Sequence, residues 1–277
     1  MSNPVITLTT DFGEKSGYVG VMKGVIYRFN PSASIVDISH LVEPQNIREG
    51  AFLLHTTHRY FAPNTIHIAV IDPGVGTKRR AICLKVPEIG YFIAPDNGLL
   101  TYILEAYPNV TVREILNPNF MLQPVSPTFH GRDIFAPTAA LLSKDNTWEN
   151  IGESLNPSGL IRLPDLLPQW HDDGKKRTLE GFVIHIDHFG NLITNISQEL
   201  FKPYNDKQLQ KIEVIVPLTY HIKGIQKTYG EAKNNKVIAL FGSSNYLEVA
   251  KVNGNAAFFA ESQYVKLGKK VKVTVDY

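Results

Sequence analysis

The sequence predicts an α/β N-terminal domain with a largely parallel sheet over residues 1–177, followed by a small all-β, barrel-like domain over residues 178–277. Three observations carry this reading. Short β-branched runs alternate with stretches of helical periodicity up to about Ala106, the pattern of βα units. From Asp145 to Arg177 proline, glycine and charge punctuate the chain, as in a linker. Beyond it Val- and Ile-rich runs recur at short spacing with no convincing helix, as in a barrel or sandwich.

The elements follow in order. Val5 to Thr9 reads as a first strand, ending in Thr9-Thr10-Asp11-Phe12-Gly13. Tyr18 to Phe29 places Val21, Met22, Val25, Ile26 and Phe29 at helical spacing and stops before Asn30-Pro31. Ser34 to Ile38 is a second strand, closed by Asp37, Ser39 and His40, and Asn46 to Phe61 is a second helix, broken by Pro63. Ile66 to Ile71 is a nearly continuous apolar run, the mark of a strand covered on both faces, and Asp72 stands at its end. Ala81 to Val86 and Gly90 to Ala94 form a hairpin leading to Pro95-Asp96-Asn97-Gly98-Leu99, with a helix from Leu99 to Ala106 and another from Thr138 to Leu142. The second domain's strands are expected at Gly181–Ile186, Leu192–Ile196, Lys211–Val216, Lys236–Phe241, Leu247–Val252 and Val271–Val275.

Composition narrows the function. With 28 basic against 26 acidic side chains and no long run of like charge, neither nucleic acid nor a membrane surface is expected as a partner. The lysines near the C-terminus alternate with valine, as on the solvated face of a strand. One cysteine, Cys83 among Ala81, Ile82 and Leu84, excludes an internal disulfide and reads as a small core residue. The N-terminus carries no basic flank with an apolar stretch behind it, and no uncharged apolar stretch reaches spanning length, so a soluble, cytosolic protein is expected.

Candidate site residues cluster at turns. Two strands deliver an acid at their C-terminal ends, Asp11 and Asp72, where open α/β sheets hold ligands. Asp11 is equally suited to capping the next helix. After Asp72, Pro73, Gly74 and Gly76 allow a tight loop that brings Arg79 back toward the carboxylate, and a turn with a surface ion pair has the same composition. His130, Arg132 and Asp133 fall within four positions beside Gly131, either as a site or as an Arg132–Asp133 pair with His130 packed beside it. In the second domain, Asp187-His188-Phe189-Gly190-Asn191 and Gly242-Ser243-Ser244-Asn245 are polar turns. An acid, an aromatic ring and an amide together also suit a flat heterocycle bearing an amine.

Taken together, these stretches resemble the S-adenosylmethionine (SAM) hydroxide adenosyltransferases, the SAM-hydrolysing family that also contains fluorinating and chlorinating enzymes. The likeness runs through Thr9-Thr10-Asp11-Phe12-Gly13, Asp72-Pro73-Gly74-Val75-Gly76-Thr77-Lys78-Arg79, Pro95-Asp96-Asn97-Gly98-Leu99, Thr128-Phe129-His130-Gly131-Arg132-Asp133 and Asp187-His188-Phe189-Gly190-Asn191-Leu192. Each alone is a common turn; their order along nearly the whole chain carries the resemblance. It implies displacement at C5′ of the SAM ribose by water, and a homotrimer with active sites between subunits. SAM is then the substrate, and neither a cofactor nor a metal is called for.

The resemblance also assigns roles. Asp72, Arg79 and His130 match the hydrolytic triad, where the halogenating branch carries tyrosines in place of the acid and the imidazole. Asp11 matches the acceptor for the ribose hydroxyls, Asp187 the partner of the methionine ammonium, and Asn191 the reader of the adenine edge. Phe189 and Tyr229 match surface for the base, and Ser243 the contact to the amino-acid end. The halogenating branch follows that serine with arginine; here Ser244 stands there. Because a sulfonium leaves as a neutral thioether, the chemistry needs a positioned, activated water more than an acid, and either Asp72 or His130 can accept its proton. Two other classes remain open: a metal-dependent nucleoside or phosphate hydrolase using Asp11, Asp37, His40, Asp72 and His130, and a non-catalytic SAM- or adenosine-binding module.

Overall fold

Runs of apolar and β-branched residues build two large sheets in a computed structural model that describes residues 5–145, 147–163, 166–174, 176–260 and 263–276. The chain divides into two compact units, Met1–Leu163 and Pro164–Tyr277. That division lies inside the proline-rich stretch. The end of the stretch already forms a strand of the second sheet, so unit 2 starts ahead of residue 178.

Unit 1 comprises β1 (Val5–Thr10), α1 (Tyr18–Phe29), β2 (Ser34–Ser39), α2 (Ile47–Thr57), β3 (Thr65–Val70), β4 (Ala81–Val86), β5 (Gly90–Pro95), α3 (Thr101–Ala106), β6 (Thr111–Glu114), α4 (Ala136–Asp145) and β7 (Ser154–Leu155). The sheet order is β2-β1-β3-β5-β4-β6-β7. β2, β1, β3 and β5 run parallel. The β4–β5 hairpin then reverses direction, and β6 and β7 continue antiparallel. The sheet is therefore mixed, and the strands that end ahead of Asp11 and Asp72, β1 and β3, lie in its parallel half.

Residues of β3 are buried throughout, because helices cover both faces. Ile66, Ile68 and Val70 point to one face with Ile6 and Leu8, against Met22, Val25 and Ile26 of α1 and Ala136, Ala139 and Ala140 of α4. The alanines let α4 lie close; Val21 of α1 stays exposed. His67 alternates to the other face, where Thr7 Oγ1 lies 2.8 Å from its Nδ1 and Phe92 stacks at 5.0 Å. Burial, then the charge of His58, pulls the His67 pKa down to about 3, so the ring is neutral near neutral pH. Cys83, in the middle of β4, is fully buried, and burial pushes its thiol pKa up.

Unit 2 comprises β8 (Gln169–Asp172), β9 (Lys176–Ile186), β10 (Leu192–Ser197), α5 (Asp206–Leu209), β11 (Glu213–Val216), β12 (Tyr220–Lys223), β13 (Ile225–Gln226), β14 (Val237–Phe241), β15 (Tyr246–Lys251), β16 (Phe258–Ala260), β17 (Gln263–Tyr264) and β18 (Lys270–Asp276). Its main sheet follows β12-β11-β18-β9-β10-β15-β14-β13, with β8 added on β9. β12 comes back beside β14, which makes the sheet barrel-like and nearly closed. Alternate residues such as Leu179, Val183, Val214, Val216, Leu247, Val249, Val271 and Val273 fill its interior.

Candidate active site

The Asp72 loop is built by its sequence. β3 ends at Val70, and Asn97 Nδ2 donates to the Ile71 carbonyl at 2.9 Å, fixing the backbone just before Asp72. The loop then folds on itself, with Val75 N–H donating to Asp72 O at 3.2 Å and the Thr77 hydroxyl to Gly74 O at 2.6 Å. Gly76 adopts φ +75°, and a Cβ there would sit 2.3 Å from the Pro127 carbonyl oxygen. Only glycine lets this loop reach the segment that carries His130.

The fold brings Asp72, Arg79 and His130 together. Arg79 Nε lies 3.0 Å from both Asp72 carboxylate oxygens, its Nη2 also bonds Oδ2, and the same Nη2 donates to His130 Nδ1 at 2.7 Å. The Asp72 and Arg79 side chains are 5% and 8% exposed, so this is a buried fork rather than a surface pair. Phe135 lies under the guanidinium, with 5.4 Å from Cζ to its ring centre. A guanidinium only donates, so His130 Nδ1 must accept and the neutral ring carries its proton on Nε2. Burial, and then the Arg79 charge, lowers the His130 pKa against an upward pull from Asp72 and Asp133.

Asp72 and His130 border a cavity of about 270 Å³ lined by Asp11, Phe12, Gln45, Val70, Asp72, Pro73, Val75, Thr128, Phe129, His130 and Gly131. Asp11 does not cap α1. Its Oδ2 accepts the Gln45 N–H at 2.8 Å, which leaves Oδ1 for a ligand on the cavity wall. Phe12, Tyr18 and Phe129 meet edge to face beside it, at centroid separations of 5.1–5.9 Å. Arg132 and Asp133 take the other course the sequence left open: Asp133, wholly buried, pairs with Arg132 and accepts the Ser126 N–H at 2.8 Å. That pair anchors the segment while His130 turns to Arg79.

In unit 2, Asp187 organises its own loop. Its Oδ1 accepts the N–H groups of Phe189 and Asn191, each at 2.9 Å, and its Oδ2 accepts Asn191 Nδ2 at 2.9 Å. Phe189 is left 73% exposed at the tip. Gly190, at φ +81°, packs on the Asn255 side chain, where a Cβ would sit 2.2 Å away. Tyr229 donates its hydroxyl to Glu248, a buried carboxylate on β15 that the sequence reading passed over. An acid inside the run Tyr246-Leu247-Glu248-Val249-Ala250 was the available signal. Burial raises the Glu248 pKa, the Tyr229 bond offsets part of this, and the charge of Asp187 adds to it. Ser243 stands exposed in the Gly242–Asn245 turn, which packs so closely on Glu248 that a Cβ on Gly242 would lie 2.3 Å from Oε2.

Among the described residues the candidate metal donors do not form a ligand set. Asp72 and His130 are engaged with Arg79, and Asp37 and His40 with each other and with Lys23 and Thr10. Among the described residues no group of three or more His, Cys, Asp or Glu side chains is arranged to hold a metal ion. No helix among them is long and apolar enough to cross a membrane.

Fold and pocket together define a two-unit α/β and all-β protein with a carboxylate–guanidinium–imidazole cluster at its strand ends. The chain belongs to the SAM hydroxide adenosyltransferase family: residues 6–152 match the model of its N-terminal domain and residues 181–272 that of its C-terminal domain. A relative from Methanocaldococcus jannaschii named (R)-S-adenosyl-L-methionine hydrolase is 38% identical, over 94% of this chain and 93% of its own. A fluorinase from Nocardia brasiliensis is 27% identical over 98% of this chain and 97% of its own. A crystal structure of an uncharacterized conserved protein from Thermotoga maritima superposes with a TM-score of 0.86 at 37% identity, covering 97% of this chain and 99% of that one.

Proposed function

We propose that this protein hydrolyses SAM, in the (R) configuration named for its relatives, to adenosine and L-methionine. The observation that carries the reading is that Asp72 and His130, bridged by Arg79, line one cavity together with Asp11. Water attacks C5′, the C5′–S bond breaks with its electron pair going to sulfur, and methionine departs as a neutral thioether. The water's proton must go to a base. Neutral His130 has no free lone pair on either nitrogen, since Nδ1 accepts from Arg79 and Nε2 carries the proton. Asp72 keeps unused lone pairs, so it takes the proton, while His130 Nε2–H holds the water oxygen and Arg79 stabilises developing hydroxide. A pocket bordered by this many charged groups favours water over a halide, which needs a dry, uncharged site.

Asp11 is proposed to accept the ribose hydroxyls, Asp187 the methionine ammonium, and Asn191 to read adenine, with Phe189 and Tyr229 as its apolar surface and Ser243 at the amino-acid end. The proposal includes a homotrimer in which these unit 2 residues complete a neighbouring subunit's site; the open faces of Phe189 and Tyr229, 73% and 44% exposed, support it. Mixing inactive Asp72→Ala and Asp187→Ala subunits then restores activity. A buried free thiol as the sole cysteine suits a cytoplasmic location.

Incubation with SAM in ¹⁸O-water tests the chemistry: one label enters the 5′-hydroxyl of adenosine and none enters methionine. Label in the amino-acid product, or no adenosine, overturns it. Asp72→Ala and His130→Ala keep SAM binding and lose turnover, whereas Asp11→Ala chiefly weakens binding; the reverse pattern refutes the assignment.

A further inference from the structure

Between β1 and β2 runs a buried polar chain that the chemistry above does not use. Thr10, wholly buried at the end of β1, has its Oγ1 2.9 Å from His40 Nδ1 and accepts the Phe12 N–H at 3.2 Å. His40, 7% exposed, places Nε2 3.0 Å from Asp37 Oδ1, within ion-pair range though off the line of a well-aligned hydrogen bond. Asp37 Oδ2 in turn meets Lys23 Nζ at 2.5 Å, at the surface. The His40 carbonyl also accepts the Gly13 N–H at 2.8 Å.

The composition is that of a Thr-His-Asp nucleophile triad, but a hydroxyl with no exposed surface that already accepts a backbone N–H cannot attack a substrate. The directions of the bonds point elsewhere. A carboxylate in front of Nε2 favours the proton there, so Nδ1 accepts from the Thr10 hydroxyl, and Thr10 accepts from Phe12. Burial alone would raise the Asp37 pKa; its bond to Lys23 and the close approach of His40 outweigh that and hold it low, which keeps the carboxylate ionised. The chain therefore grips the backbone at Phe12 through the Thr10 hydroxyl and at Gly13 through the His40 carbonyl. Asp11 lies between Thr10 and Phe12, its side chain steadied by the Gln45 N–H.

We propose that His40, acting through Thr10, is a positioning residue that fixes the Asp11-Phe12 backbone so that the Asp11 carboxylate faces the ribose; this rests on the ribose role proposed above. Thr10→Val keeps the shape and removes the hydroxyl. It is expected to raise the KM for SAM and the Kd for adenosine about tenfold, with kcat held within about threefold. Thr10→Ser restores both. In an Asp11→Asn background, Thr10→Val adds less than about twofold, because the carboxylate it orients is gone. Equal, additive effects in the two backgrounds, or a kcat loss at unchanged KM, overturn the proposal. Should Thr10→Val fail to fold, the partly exposed Asp37→Asn decides with the same readouts: a KM rise of about threefold supports the chain and an unchanged KM refutes it. If the unaltered protein binds adenosine but releases none from SAM, the hydrolase reading fails, while the adenosine affinities still settle the positioning role.

Discussion

Replacing Asp72 by Asn removes one negative charge from a buried fork and leaves its shape. Arg79, 8% exposed, then loses its counter-ion while still facing His130. Breaking one side of a buried pair costs about 3–5 kcal/mol, and the lower end applies because the Asn carbonyl still accepts from Nε. For a unit of this size, about 3 kcal/mol corresponds to roughly a 6–12 °C fall in the transition of unit 1. The charge of Asp72 also raises the His130 pKa, so its removal lowers that pKa further. Scanning calorimetry reads the first effect, and an NMR titration of the His130 ring reads the second. A variant melting within about 1 °C of the parent, or a His130 titration that moves to higher pH, would refute the argument that the fork is buried and coupled.

Other expectations follow from the same geometry. His67 has a folded pKa of about 3 against an ordinary 6.5, so its contribution to stability is complete above pH 6.5 and lost as pH falls toward 3. By pH 4 this amounts to about 3 kcal/mol, to be read as a falling urea midpoint that His67→Gln flattens. Gly76→Ala forces a side chain into a φ of +75° and against Pro127, so it should cost at least about 2 kcal/mol and most of the activity, measured by urea denaturation and initial rates. Glu248 has a raised pKa, hence stability that is present at low pH and lost as pH rises; Glu248→Gln is therefore more stable than the parent at pH 7 and equal to it at pH 4, by thermal melts at both.

Much of unit 1 was legible because its strands are buried on both faces and end in charged turns. Asp11 and Asp72 stand out in the sequence for that reason, and the helix and hairpin positions follow from apolar spacing. β6, β7 and β8 were not legible. Thr111-Val112-Arg113-Glu114 buries only Val112 fully, and Ser154-Leu155 and Gln169–Asp172 have no fully buried residue, so their hydrophobic pattern is too thin to announce a strand. Without β6 and β7 the sheet of unit 1 reads as largely parallel, whereas its far half is antiparallel. The wide turn of Gly131–Phe135 also hid the true start of α4, two residues ahead of the predicted Thr138, since Pro137 is tolerated in a first helical turn. Arg79 and His130 are recognisable by motif, but the direction of their hydrogen bond, which leaves the His130 ring proton on Nε2, exists only in three dimensions. Glu248, and the link from His40 to Thr10, escape a reading of the sequence because an acid in a strand, or a histidine after one, acquires meaning only from what packs around it.

The lone thiol in the middle of β4 gives the protein an internal reporter. Walled in by neighbouring strands and held protonated, Cys83 is shielded from thiol reagents until that sheet opens. The rate at which it becomes modifiable thus records how often the layer beside the Asp72 loop comes apart, with no label to engineer and no second sulfhydryl to confuse the signal.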